Sequence, residues 1–402
     1  MKYFLLFLLS GYSLTGSTQS CDYSIPKYQF RSQKDIPVGS DLDYRLIQTN
    51  LFVDIYYPVG SPELKRPMVM FAFGGGFIGG KRQDMAQICE EYAKRGFVAA
   101  TIDYRIGFDG ISIIPTDSAE VLRAGFRGAQ DGKAALRFLK ARHLEDSIDL
   151  DRVWVGGVSA GSIVALATVF FQNEADKPKE AGPMPPVGGR MRPDLGPLEG
   201  TRHLNGYDTK VQGVFNIFGA LLSLDQLRVD NEIAVMSYHQ TQDPVVPCNA
   251  NKPYYSNPFV AGSYPTLYGS CVLSQHLQNL GVPELLHKTW IYQGNQHAMH
   301  NQNDVFKFLL EGANPLLCED FTSTTDLSKS FSVVPNPFQD QIQIVSELNF
   351  ESFKIFDLNH KVLSSGKLTT GSFISTSTFS PGVYFLELRA GNKFTKTKIL
   401  KL

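Results

Sequence analysis

The chain has 402 residues, enough for one large domain and a smaller one, and its 43% hydrophobic and 19% charged composition is that of a globular protein rather than a disordered one. A formal net charge of −1 supplies no bulk field to recruit nucleic acid or an anionic membrane. The short basic run Lys393, Lys396, Lys398 and Lys401 has no basic face elsewhere to match it, so nucleic acid is not an expected partner.

Residues 1–20 read as a signal peptide: a basic start at Lys2, seven apolar residues from Tyr3 to Leu9, then small polar residues through Ser20. Thr18 and Ser20 sit three and one before Cys21, which suits signal peptidase, and Gln19 fits the alternative of a lipid anchor on Cys21 poorly. The apolar run is too short to span a bilayer, and no later stretch is longer, so stable membrane insertion is not expected. An exported chain with five cysteines is free to form disulfides. Cys248 and Cys271, which bracket a Pro/Tyr/Gly-rich excursion, are the expected pair, while Cys89 in QICEEYAKRG reads as a small core residue.

A domain over 21–318 follows, in which strand-like and helix-like segments alternate. The strand-like runs are PMVMFAF (67–73), FVAATID (97–103), RVWVGG (152–157), VQGVFNIFG (211–219), IAVMSYH (233–239) and KTWIYQ (288–293). They are mostly apolar without strict alternation, as in a parallel sheet covered on both faces. The spacing of Leu122, Phe126, Ala129, Leu136 and Leu139 predicts a helix over 118–142, although Gly125, Gly128 and Gly132 interrupt it. The fold class is therefore α/β, with a doubly wound, mostly parallel sheet. Residues 173–210 break the rhythm with crowded glycine, proline and charge, and are expected to form a flexible flap near the site. A Ser/Thr-rich linker (319–330) leads to short alternating strands over 331–402, which predict a small all-β sandwich.

The chemistry concentrates in Gly157-Val158-Ser159-Ala160-Gly161, which follows a strand and opens a helix. That context is the one a nucleophile elbow requires, with glycines where side chains would collide with neighbouring elements. A hydroxyl needs a base and a site for the oxyanion it creates. Phe73-Gly74-Gly75-Gly76-Phe77 ends an earlier strand, so Gly75, Gly76 and Ala160 are the expected oxyanion-hole donors. The glycines lack both a G-x-G-x-x-G pattern and a P-loop Lys-Ser/Thr, which argues against a nucleotide. His297 lies just beyond the last long strand, in YQGNQHAMH, and is preferred to His300 as the base. Asp243, just past the preceding strand, is preferred to Asp225 as the acid that orients the imidazole. Each candidate falls at the C-terminal end of a strand, where open α/β sheets place their sites. The expected triad is Ser159, Asp243 and His297, working without metal or cofactor.

Over about 22–313 the chain resembles the α/β-hydrolase carboxylesterases, including the hormone-sensitive-lipase-like and feruloyl-esterase-like members, in FGGGF, DYRIG (103–107), GVSAGS, SYHQTQDPVVP and GNQHAMH. The resemblance implies hydrolysis of carboxylic esters through an acyl-enzyme. A peptidase of the same fold and a silent hydrolase fold used for binding are the alternatives. Acetyl or feruloyl polysaccharide esters, lipids and polyesters all remain open as substrates. Phe73 departs from the family's usual His before the three glycines, which puts the support of that loop in question. His239 matches the His of a family HGT-x-D pattern and is read as structural. The tail is similar to the C-terminal sorting domain of the type IX secretion system of Bacteroidetes, in NPF (336–338), KIFDLNHKVL, SPGVYFLEL and TKTKILKL, with His360 where the family often has glycine. That resemblance implies the type IX machinery as partner and a secreted or cell-surface location. A carbohydrate-binding module is the alternative for the tail, but both Trp154 and Trp290 lie outside it.

Overall fold

The structure, a computed structural model, describes residues 21–228, 233–318, 331–346, 349–357, 362–369, 371–390 and 393–402. The expected signal peptide (1–20), the expected linker (319–330) and His360 lie outside the described residues. The chain divides into two compact units, 1–319 and 320–402.

The first unit is built on eight strands: β1 (Gln29–Leu42), β2 (Gln48–Val59), β3 (Arg66–Ala72), β4 (Val98–Ile102), β5 (Ile148–Val158), β6 (Gly213–Ile217), β7 (Ala234–Gln240) and β8 (His287–Tyr292). They hydrogen-bond in the order β1-β2-β4-β3-β5-β6-β7-β8. β1, β2 and β4 pair antiparallel, and every pair from β4 onward is parallel. β4 and β6 are buried along their whole length, and VAATI and GVFNI are accordingly mostly apolar on both faces. The main helices are α1 (Ala86–Ala93), α2 (Ser118–Ala141), α3 (Ala160–Phe170), α4 (Ser270–Asn279) and α5 (Gln302–Cys318). This is the α/β-hydrolase fold. No helix among the described residues is long and apolar enough to cross a membrane.

Helix α2 runs unbroken through its three glycines, starting at an Asp117 cap whose side chain accepts from the Glu120 N–H. Gly128 and Gly132 lie on the face packed against α3, where a Cβ on Gly128 would stand 2.7 Å from Val164 and one on Gly132 would stand 2.1 Å from Thr168, while Gly125 lines the cleft at Ser159. Close helix approach, rather than a break, explains the first two.

Residues 173–210 differ from the expected flap. They form a strap fastened to α2 by its long basic side chains. Arg123 donates to the carbonyls of Glu180, Gly182 and Pro193, Gln130 to those of Leu195 and Pro197, and Lys140 to Asp208. Glu199 pairs with both Lys133 and Arg137 at 2.6 Å. Ala181 and Leu198 seal a small apolar cluster with Phe126, Ala129 and Phe171. The segment's regular structure is limited to two single 3-10 turns and a short hairpin, Met184–Val187 against Arg190–Arg192, and side chains of α2 satisfy many of its remaining carbonyls.

Two disulfides hold this unit. Cys248 joins Cys271, and Cys21 joins Cys318 at the end of α5. Cys89 is free and buried in α1.

Among its described residues the second unit has seven strands in two antiparallel sheets: β9 (Phe331–Val334), β10 (Gln341–Ser346), β11 (Ser352–Phe356), β12 (Val362–Lys367), β13 (Phe373–Ser375), β14 (Gly382–Ala390) and β15 (Lys393–Lys401). The orders are β9-β10-β13 and β12-β11-β14-β15. Ile342, Ile355, Ile374, Leu386, Leu388 and Ile399 fill the space between the sheets, so the sandwich has a core of its own.

Candidate active site

Ser159 stands on the corner between β5 and α3, with φ 57° and ψ −124°. A non-glycine residue holds such a conformation only where its surroundings enforce it. Here they do: a Cβ on Gly157 would lie 2.3 Å from the Gly161 carbonyl carbon, and one on Gly161 would lie 2.1 Å from the Ala72 carbonyl oxygen. The Ser159 N–H donates to the Ile217 carbonyl at 3.0 Å, tying the corner to β6.

His297 arrives from the loop after β8. Its Nε2 lies 2.7 Å from Ser159 Oγ, and its Nδ1 lies 2.7 Å from Asp243 Oδ2. With the Nδ1 proton donated to Asp243, Nε2 accepts from the serine hydroxyl. The Phe218 ring packs edge-on against the imidazole at 4.6 Å. Asp243 is buried, and its Oδ1 accepts from the N–H groups of Val245 at 2.8 Å and Val246 at 3.0 Å. Burial alone would push its carboxyl up, but hydrogen bonds from His239 and His297 outweigh this and hold it below the usual carboxylate range.

The two runner-up residues lie elsewhere. The His300 ring stacks on Tyr292 at 4.0 Å and its Nδ1 pairs with the Tyr238 hydroxyl. Among the described residues, the exposed Asp225 bonds with Ser223 in a short turn. His239 is fully buried between the Ser270 hydroxyl at 2.8 Å and the Val246 carbonyl at 2.9 Å. From there it flanks Asp243 Oδ2 at 3.5 Å.

The Gly74–Gly76 turn runs beside Ser159. Gly75 and Gly76 take φ of 125° and 62°, and the Gly75 carbonyl closes the turn by accepting from Ile78 and Gly79. The N–H groups of Gly75, Gly76 and Ala160 have no protein acceptor among the described residues. The Phe73 question has an aromatic answer. Its ring stacks on Tyr104 at 4.4 Å, and the Tyr104 hydroxyl donates to the Phe73 carbonyl at 2.8 Å. A buried tyrosine from the DYRIG segment thus braces the loop.

Ser159 opens into an apolar cleft walled by Phe77, Val121, Ile163, Leu222, Tyr254 and Leu267. No residue of the 173–210 strap lines it. A second, polar cavity, with Arg123, Arg127 and Arg192 in its wall, shares no lining residue with the cleft. The cleft wall was not legible in the sequence. Its one signal was the Pro/Tyr-rich excursion between Cys248 and Cys271, which supplies Pro253, Tyr254, Tyr264 and Leu267.

Comparison with known proteins bears on both units. Residues 53–234 match the BD-FAE family, and residues 332–401 match the secretion system C-terminal sorting domain. The chain therefore carries a BD-FAE domain of the α/β-hydrolase fold followed by a type IX sorting domain, which directs a protein to the cell surface or beyond. Among curated proteins, gut esterase 1 of Caenorhabditis briggsae is 34% identical over 102 residues, a match covering 25% of this chain and only 17% of that protein. Among solved structures, the apo form of Thermogutta terrifontis esterase 2 is similar at TM-score 0.45 and 19% identity, covering 70% of this chain and 93% of that one. Its propionate-bound form is similar at TM-score 0.43 and 20% identity, with the same coverage.

Proposed function

We propose that the protein is an exported serine esterase that hydrolyses carboxylic esters through an acyl-enzyme on Ser159. The observation that carries this reading is the continuous chain of contacts from Asp243 to His297 to Ser159, 2.7 Å at each step, beside three unengaged N–H groups. In the first half-reaction Ser159 Oγ bonds to the ester carbonyl carbon and its proton passes to His297 Nε2. The carbonyl π pair moves onto oxygen, which the N–H groups of Gly75, Gly76 and Ala160 receive. Collapse of the tetrahedral intermediate expels the alcohol, which takes the proton from His297. Water then attacks the acyl carbon and gives its proton to His297; the second tetrahedral intermediate collapses, the bond from the acyl carbon to Ser159 Oγ breaks, His297 returns the proton to Oγ, and the carboxylic acid leaves. Asp243 stays ionised throughout, orienting the imidazole and stabilising the imidazolium. Ser159, water and His297 account for every proton the cycle moves, and the N–H donors and Asp243 for the charge it develops, so the cycle as drawn calls on no metal or cofactor. The sorting domain makes the type IX machinery the expected partner before the enzyme acts outside the cell.

The test is turnover of a chain-length series of nitrophenyl esters, alongside methyl ferulate and a polyester. Ser159→Ala is expected to lower kcat by about 10³-fold or more while leaving the melting temperature in place. Wild-type protein inactive on every ester, or a Ser159→Ala variant of near-wild-type rate, would overturn the assignment.

A further inference from the structure

One side chain in the cleft is built unlike the rest. Tyr254 holds φ 57°, a left-handed backbone that a bulky aromatic residue rarely adopts. The conformation is enforced on both sides: the Tyr254 N–H donates to the Val245 carbonyl at 3.2 Å, and its carbonyl accepts from Asn257 at 2.8 Å. The ring rests against Tyr264, centroids 5.4 Å apart, and the Tyr264 hydroxyl is itself anchored on the Ile113 carbonyl. The Tyr254 hydroxyl is thereby aimed at the Gly74–Gly76 turn. Its oxygen lies 3.8 Å from the point where a Cβ on Gly76 would stand, and beyond Gly76 and its two chain neighbours no other heavy atom comes within 4 Å of that point.

This hydroxyl has no hydrogen-bond partner among the described residues, a property it shares with the buried Tyr56 hydroxyl, but unlike that one it belongs to a residue of the cleft wall. Around it the wall is apolar: Phe77, Val121, Ile163, Leu222 and Leu267. A half-buried donor left open among hydrocarbon side chains, beside Ser159 and Gly76, is placed to meet a polar atom of the bound molecule. The polar atom common to every ester, and held next to Gly76, is the carbonyl oxygen.

Resting on the ester-hydrolysis reading, we propose that the Tyr254 hydroxyl is a further catalytic group, donating a hydrogen bond to the substrate carbonyl oxygen as it becomes the oxyanion. The phenol keeps its proton throughout, so the step moves no atom beyond those already described. Burial and the nearby Asp243 charge both raise its pKa, which keeps it a donor across the working pH range. A side-chain donor of this kind supplements the backbone N–H groups in the way that oxyanion sites combine the two.

The test is Tyr254→Phe, which removes one oxygen and keeps the ring. Rates are taken per active site, counted by the nitrophenol burst, so a variant that is partly unfolded still reports on the site. On a nitrophenyl ester, kcat is expected to fall by about 10- to 100-fold with KM within about twofold, the signature of an interaction made in the transition state. Inhibition by a trifluoromethyl ketone, whose hemiketal oxygen occupies the oxyanion position, is expected to weaken by the same factor. An unchanged kcat, or a loss confined to KM with inhibition unaltered, would overturn the role and leave Tyr254 as wall. Failure of the ester reading itself would register separately, as wild-type protein without turnover or Ser159→Ala with it.

Discussion

Removing the Cys248–Cys271 bridge by a paired change of both residues to alanine is expected to destabilise the catalytic unit and loosen its cleft. The bridge closes a loop with a sequence separation of 23 residues, and the chain-entropy relation gives about 3 kcal/mol for a loop of that size. Most of this acts on the unfolded chain, because the backbone bond from Cys271 N–H to the Cys248 carbonyl at 2.9 Å still closes the loop in the folded state. In a unit of this size the loss corresponds to a drop of about 5–10 °C in melting temperature. The kinetic effect has a definite pattern. The loop carries Pro253, Tyr254, Tyr264 and Leu267, all in the cleft wall, whereas Ser159, Asp243 and His297 lie outside it. KM is therefore expected to rise through the loosened wall, and kcat to fall by no more than Tyr254→Phe loses, since the triad itself is untouched. Calorimetry and ester kinetics with and without reductant on the wild type, beside the double variant, measure both effects. A melting temperature unchanged within 1–2 °C, well inside the shift the chain-entropy term requires, would refute the reasoning.

His297→Ala is expected to match Ser159→Ala within about tenfold, because members of a triad act as a unit, with Asp243→Asn less damaged than either. His300→Ala, which removes a ring stacked on Tyr292 and its bond to the Tyr238 hydroxyl, should keep most of the rate, and kinetics on one ester would rank all four. Glu199→Ala leaves Lys133 and Arg137 buried without their carboxylate. It should cost about 2 kcal/mol in denaturant unfolding, less than a fully buried pair because Glu199 is itself 44% exposed, while kcat stays unchanged. Burial pushes the Asp176 carboxyl up, but the Arg228 guanidinium and the N–H groups of Asn173 and Gln172 outweigh this and hold it below its usual range. Its stabilising contribution is therefore complete above a pH of about 4 and lost as acid carries the pH through the lower folded value. Asp176→Asn should flatten the acid limb of a stability–pH curve.

What the sequence disclosed was local, and what it hid was long-range. The Ser159 corner is written in consecutive residues, a strand, two glycines, a serine and a helix, so its geometry is readable without the rest of the chain. Asp243 and His297 are readable because each follows a strand, although 54 residues separate them and only the parallel pairing of β7 with β8 brings them together. The strap was misread for a physical reason. Its glycine and proline content is that of a mobile loop, and the residues that fasten it, Arg123, Lys133, Arg137 and Lys140, sit on α2, where a helical face of basic residues ordinarily meets solvent. The brace of the Gly74–Gly76 turn was hidden in the same way. Phe73 lacks the family's histidine, and the tyrosine that replaces its support lies 31 residues away.

The bridge between Cys21 and Cys318 also has a mechanical meaning. Cys318 is the last residue of α5, so any pull on the chain beyond it, during export or while the enzyme is tethered by its tail, is applied at the end of that helix. Without the bridge, tension would peel α5 from the sheet turn by turn, a weak mode of loading. With it, the load passes through a covalent bond to Cys21. The neighbouring Tyr23 is fixed by its N–H to Asn314 and by its hydroxyl to Glu63 and Arg152. Force is thus shared across contacts that must break together, and the helix is bypassed. A catalytic unit fastened in this way can be dragged by one end while the site at the other side of its sheet keeps its geometry.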